Sequence, residues 1–189
     1  YYQLTDHIDM SRYYWVSVGT SSKAFSGIFD GQGYAIKGLH TISQSLRRDG
    51  GGDNSGFIGV ASGATIKNIY FEDIEINGKT NVAGVVGQIT GTTTITSVAV
   101  VGEIYGSSRV LGIAGYSTNA SYVNITDCLV DVSPSTIVIR NSTCNVTATN
   151  SVNYSTGKLA KTSGTFKNWI QNLTGMKYTM LPKGLTWIA

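Results

Sequence analysis

The sequence predicts an all-β fold, a solenoid of stacked parallel strands with about 28–30 residues per coil and a short helix capping its C-terminal end. Three observations lead there. The tetrad Gly56-Phe57-Ile58-Gly59 returns as Gly84-Val85-Val86-Gly87 and as Gly112-Ile113-Ala114-Gly115, a step of 28 residues each time. Behind each tetrad comes a strand-like unit, Ala64-Thr65-Ile66-Lys67-Asn68-Ile69, then Thr93-Thr94-Ile95-Thr96-Ser97-Val98, then Val123-Asn124-Ile125-Thr126-Asp127-Cys128, at steps of 29 and 30. The repeating residues are glycines and β-branched side chains rather than helix formers, which suits strands joined by tight corners.

No single repeat holds enough apolar residues to close a core. Aligned repeats can stack at about 4.8 Å per coil and bury files of side chains between them. The alignment puts Ile36, Ile66, Ile95 and Ile125 in one file, and Leu39, Ile69, Val98 and Cys128 in the next. The paired glycines are assigned to places where the chain turns with positive φ or where two backbones approach closely.

The chain reads as one domain of 189 residues, with opening coils and a loop over 1–55, regular repeats over 56–131, an irregular coil over 132–161 and a helical cap over 162–189. In the opening coils, Tyr2-Gln3-Leu4 and Ile8-Asp9-Met10 alternate apolar and polar residues, and Trp15 precedes Val16-Ser17-Val18-Gly19. Next, two apolar runs flank Asp30-Gly31, which predicts a hairpin or a tight corner between Phe25 and Leu39.

These segments carry a resemblance. Leu4-Thr5-Asp6, Ile8-Asp9-Met10, Trp15, the run Phe25-x-Gly27-x-Phe29-Asp30-Gly31-x-Gly33-Tyr34-x-Ile36-x-Gly38-Leu39, the Gly-x-x-Gly tetrads and Ala64-Thr65-Ile66 together resemble the GLUG-repeat family of secreted and cell-surface proteins over roughly residues 2 to 131. The second tetrad position is Phe57, Val85 or Ile113 where the family usually has Leu, so the apolar class is kept. The resemblance implies a right-handed parallel β-helix of the kind found in surface proteins and in non-catalytic regions of secreted immunoglobulin-A peptidases. It implies a scaffold and brings no catalytic motif.

Residues 40 to 55, with Arg47-Arg48-Asp49 and three consecutive glycines, form a polar excursion between coils. Beyond 131 the repeat fades, although Ile137-Val138-Ile139 and Cys144-Asn145-Val146 still have strand character. Phe166, Trp169, Ile170 and Leu173 then stand at helical spacing, with Gly175 as a stop signal. A solenoid's open end needs covering, and this amphipathic segment, with Leu181, Leu185 and Trp187 beside it, is the expected cap. Cys128 and Cys144 permit one disulfide, while Cys128 could equally pack inward as a small apolar thiol.

Composition bounds the function. Charged residues make up 13% of the chain, about half the usual share, while Ser and Thr together number 42, the uncharged polar surface expected of an extracellular strand protein. The net charge of +3 has no cluster behind it beyond Arg47-Arg48, so neither nucleic acid nor an anionic membrane is an expected partner, and no run is long and apolar enough for a membrane span. A start at Tyr1-Tyr2 without Met suggests a processed protein or a piece of a longer one.

No catalytic, cofactor-binding or metal-ligating residue is assigned. Gly31-x-Gly33 lacks a third glycine at dinucleotide spacing, and His7 and His40 stand apart. Glu72, Asp73 and Glu75 read as solvated strand charges, with Asp73 and Glu75 on one face and Glu72 on the other. Calcium needs several oxygen ligands in a tight loop; Asp49 with Asp53 among glycines is the one place to check for it, and no metal is assigned there.

Six of the 12 asparagines lie in Asn-x-Ser/Thr sequons, namely Asn119, Asn124, Asn141, Asn145, Asn153 and Asn172, where chance would place about three. They are candidate glycosylation sites on an exported protein. Two functions follow: a non-catalytic extracellular structural or adhesive module, as a glycosylated surface or filament subunit, that meets like subunits or another surface protein; or a carbohydrate-binding accessory domain of a secreted enzyme, with Tyr105, Tyr116 and Tyr122 as its ligand surface.

Overall fold

The structure is a computed structural model that describes residues 1–42, 52–118, 122–126, 128–133, 145–149 and 152–153. Those residues form a parallel β-solenoid of about four turns, with no helix among them. The opening coil supplies three short strands, β1 (Tyr2–Gln3), β2 (Ile8–Asp9) and β3 (Tyr14–Trp15). The second supplies β4 (Ile28–Asp30), β5 (Ala35–Lys37), β6 (His40–Thr41) and β7 (Ile58–Ala61). Two regular coils follow, with β8 (Thr65–Asn77), β9 (Thr80–Ala83) and β10 (Val86–Ile89), then β11 (Thr93–Tyr105), β12 (Ser108–Leu111) and β13 (Ala114–Ser117). The last described rungs are β14 (Tyr122–Thr126), β15 (Leu129–Ser133), β16 (Asn145–Thr149) and β17 (Val152–Asn153).

Every strand pair is parallel, and each wall is a ladder of equivalent strands from successive coils. One wall runs β1-β4-β8-β11-β14-β16, a second β7-β10-β13, and β9 with β12 form a third. Asp30-Gly31 makes a corner, not a hairpin, because β4 and β5 do not pair with each other and both lie against β8.

The files of buried side chains are real, with two corrections. Ile66, Ile95 and Ile125 stack directly and are fully buried. The residue above Ile66 is Phe29, while Ile36 lies beyond the Ile69–Val98 file, over Phe71, Val100 and Val130. Leu39 likewise stands outside the Ile69–Val98 file, since its neighbour His40 pairs with Glu75. The cause is the excursion after β6, which lengthens the second coil. Phe29 to Ile66 is a step of 37 residues, so matching Ala35-Ile36-Lys37 to Thr65-Ile66-Lys67 at the regular period chose the wrong file. Ile36 is still buried, at 4% exposure.

The two long strands owe their length to corners taken inside them. Asn68 in β8 and Ser97 in β11 have φ of 55° and 54°, and Asp73 has φ of 54°. These small polar residues enter the left-handed region at modest cost and redirect the chain without breaking the ladder. Between Val100 and Gly102 the register shifts by one, so β8 carries one residue more than β11 there. That bulge, with a longer corner at Gly91-Thr92, accounts for the alternation between steps of 28 and 29.

The tetrad glycines serve close approach rather than positive φ. None of the six has a left-handed φ, but a Cβ on Gly56 would stand 2.9 Å from the Ala83 carbonyl oxygen, and one on Gly84 2.5 Å from a Val100 methyl. A larger residue would push adjacent coils apart. At the opening end, Phe57 fills the second tetrad position and gathers an aromatic cluster, with Phe29 edge-on at 4.9 Å and Phe71 tilted at 5.0 Å. The expected cap over 162–189 and Cys144 lie outside the described residues.

Candidate functional site

Since each outward residue sits above its equivalents, the surface consists of rows, and a site would be a row or a corner where chemistry gathers. The three tyrosines do not form such a row. Tyr105 ends β11 beside Asn77, Tyr116 lies on β13 beside Gln88, and Tyr122 begins β14 beside Asn145. Tyr105 and Tyr122 are exposed, whereas Tyr116 is half-buried under the guanidinium of Arg109, 4.1 Å from its ring centre.

The carboxylates gather in one outward row. Tyr14 pairs with His40, His40 with Glu75, Glu75 with Glu103 and Glu103 with Ser133. The Asn77 amide donates to Glu75 at 2.8 Å, and the Tyr105 hydroxyl donates to Glu103. That bond, with the negative charge of Glu103 and Glu75, raises the Tyr105 pKa above its ordinary value and keeps the phenol protonated. Asp73 and Glu75 are exposed, as expected of solvated charges. Glu72 is not: it is 6% exposed and one of its carboxylate oxygens, Oε2, makes no hydrogen bond. Glu72 pairs with Lys37 of β5 and adjoins the bulge, and it is covered there rather than solvated, a correction to the expectation from sequence. Among the described residues, no group of three His, Cys, Asp or Glu side chains is placed to hold a metal ion.

Two polar ladders tie coils together at corners. Asn54, Asn81 and Arg109 occupy one corner in three successive coils, with φ of 60°, 56° and 54°. The Asn81 amide donates to Asn54 Oδ1 at 2.7 Å, and Arg109 donates to Asn81 Oδ1 at 3.1 Å. At another corner Asp30, 2% exposed, accepts from the Gln32 N–H and the Asn68 amide, both at 3.0 Å, from the Tyr1 hydroxyl at 3.1 Å, and pairs with Lys67 at 3.1 Å. The sequence held a faint signal for the first ladder, an asparagine recurring after 27 residues, but apolar matching passes over it.

Among the sequons, Asn124 is exposed on the wall between Thr94 and Thr147, and Thr126 beside it is half-buried. Asn145 begins β16 and Asn153 ends β17. Asn119, Asn141 and Asn172 lie outside the described residues. Cys128 is 1% exposed, its thiol 3.6 Å from the Ile95 carbonyl oxygen. A cleft flanks the opening coil, where Trp15 stands beside Asp53 at the end of the polar excursion.

Stacked parallel coils with ladders at their corners define the class: this is a parallel β-solenoid protein. Comparison with family models, curated proteins and solved structures finds no match. Among the described residues no helix is long and apolar enough to cross a membrane.

Proposed function

We propose that the protein is a non-catalytic extracellular module with a structural or adhesive role, a glycosylated surface or filament subunit that meets like subunits or another surface protein. The observation that carries this reading is the long wall, one ladder through six rungs whose outer rows are mostly uncharged. Thr65, Thr94, Asn124 and Thr147 follow one another in one such row, and Lys67, Thr96, Thr126 and Thr149 in the next. A wall of this kind holds its shape over distance while presenting a regular polar face. The resemblance to GLUG-repeat proteins supports the same reading, and the row of carboxylates reads as solvated surface.

The alternative, a carbohydrate-binding accessory domain acting through Tyr105, Tyr116 and Tyr122, has less support because no two of these rings are rung neighbours. Protease shaving of intact source cells tests the first reading: the protein should be released with the surface fraction, and retention in the cytosol would overturn it. Intact-mass analysis of the same material should show a glycan on Asn124, whose exposure on the wall leaves room for one. Bare asparagines throughout would remove the glycoprotein part of the proposal.

A further inference from the structure

The cleft on the flank of the opening coil has a volume of about 330 Å³ and brings together Trp15, Ser17, Ser21, Asp53 and Asn54. Part of its wall is locked by bonds already made. The Trp15 indole N–H donates to the Phe57 carbonyl at 2.8 Å, and the ring stacks on Phe57 at 5.2 Å with an interplanar angle of 13°. The Ser17 hydroxyl donates to the Gly56 carbonyl at 2.7 Å and accepts from the Gly56 N–H at 3.1 Å. With one face and its N–H committed, the indole offers the cleft only its remaining apolar surface.

Other polar groups of the lining are uncommitted. The Asp53 carboxylate and the Ser21 hydroxyl make no hydrogen bond among the described residues, and the Asn54 amide uses only its oxygen, as acceptor from Asn81. The cleft therefore sets an immobile aromatic surface near a charged acceptor, an amide donor and a hydroxyl. Among the described residues, no lysine or arginine lines it.

We propose that this cleft binds a neutral saccharide. A pyranose has an apolar C–H face and a rim of hydroxyls that both donate and accept. The face fits against Trp15, sugar hydroxyls donate to Asp53 and accept from Asn54, and Ser21 can do either. The volume lies at the small end of ligand pockets and suits a mono- or disaccharide. An apolar ligand would strip water from Asp53 without replacing its hydrogen bonds. An anionic ligand would meet that carboxylate with no cation among the described lining residues to offset it. The locked indole loses little freedom on binding, which favours affinity from a small contact. The site uses none of the residues of the Thr65, Thr94 and Asn124 row and stands whether or not the module is structural.

The test uses the 189-residue chain on an array of immobilised neutral, sialylated and sulfated saccharides, followed by calorimetric titration of the best neutral binder. Neutral saccharides should be retained. Asp53→Ala, a change at an exposed side chain, should weaken binding about tenfold or more, equivalent to one strong hydrogen bond, with an unchanged melting temperature. Trp15→Phe, which keeps a ring on Phe57, should weaken it severalfold. Retention of anionic saccharides alone, retention of none, or Asp53→Ala titrating like the parent chain would each overturn the proposal, and none of these results bears on surface exposure of the protein.

Discussion

Ile95 shows what one side chain contributes, since it is fully buried with an isoleucine on the rung to either side. Truncation to Ala leaves a cavity that parallel backbones about 4.8 Å apart cannot close, so Ile95→Ala should cost about 2 to 5 kcal/mol in denaturant unfolding. Asp30 shows the polar counterpart. Burial acts to raise its pKa, but the Gln32 N–H, the Asn68 amide, the Lys67 ammonium and the Tyr1 hydroxyl outweigh it and hold the carboxyl below its ordinary value. A depressed folded pKa means stabilisation that is complete above the unfolded value of about 3.9 and is lost as pH falls through the lower folded value. Thermal melts across the acid range should show this loss, and Asp30→Asn should be less stable at neutral pH with a flatter acid dependence. An unchanged acid slope in that variant would assign the loss to other carboxyls.

At the scale of elements, corners rather than strands set the geometry. Asn81 is 7% exposed, has φ of 56° and holds partners on the coils before and after it. Two variants separate its roles. Asn81→Gly keeps the backbone relaxed and removes the ladder, whereas Asn81→Ala removes the ladder and strains the corner. Both should destabilise, with Ala worse by about 1 kcal/mol, because a residue without a local hydrogen-bonding group is penalised in the left-handed region. Equal losses in chemical denaturation would mean that the corner tolerates a Cβ and that the side-chain ladder is the whole effect. The Gly-x-x-Gly motif was legible in sequence as a place of special backbone, but its reason was not. Whether a glycine answers to φ or to a neighbouring carbonyl depends on which rung lies beside it.

For the whole molecule, stability grows by stacking, and ends are the weak points. The opening coil leaves Tyr2, Tyr14 and Val16 exposed at 61%, 59% and 76%. At the other end, the helical spacing of Phe166, Trp169, Ile170 and Leu173 predicts a cap. Deleting residues 162 to 189 should uncover a strand edge and shift the protein toward oligomers in size-exclusion chromatography with light scattering. A monomer of unchanged solubility would show that the last coil needs no cover.

The sequence by itself determined the class of fold and the file through Ile66, Ile95 and Ile125, because stacked coils force their equivalent residues into one repeating apolar code. Only the tertiary structure decided that Phe29 rather than Ile36 stands over Ile66, that Glu72 is buried, that asparagines form a ladder and that Trp15 meets Asp53 across a cleft. Each of these depends on a corner or excursion that adds residues without changing the apolar pattern. Register between rungs is set by backbone contacts summed over the whole coil, and one inserted residue, as at the bulge beside Gly102, shifts everything after it.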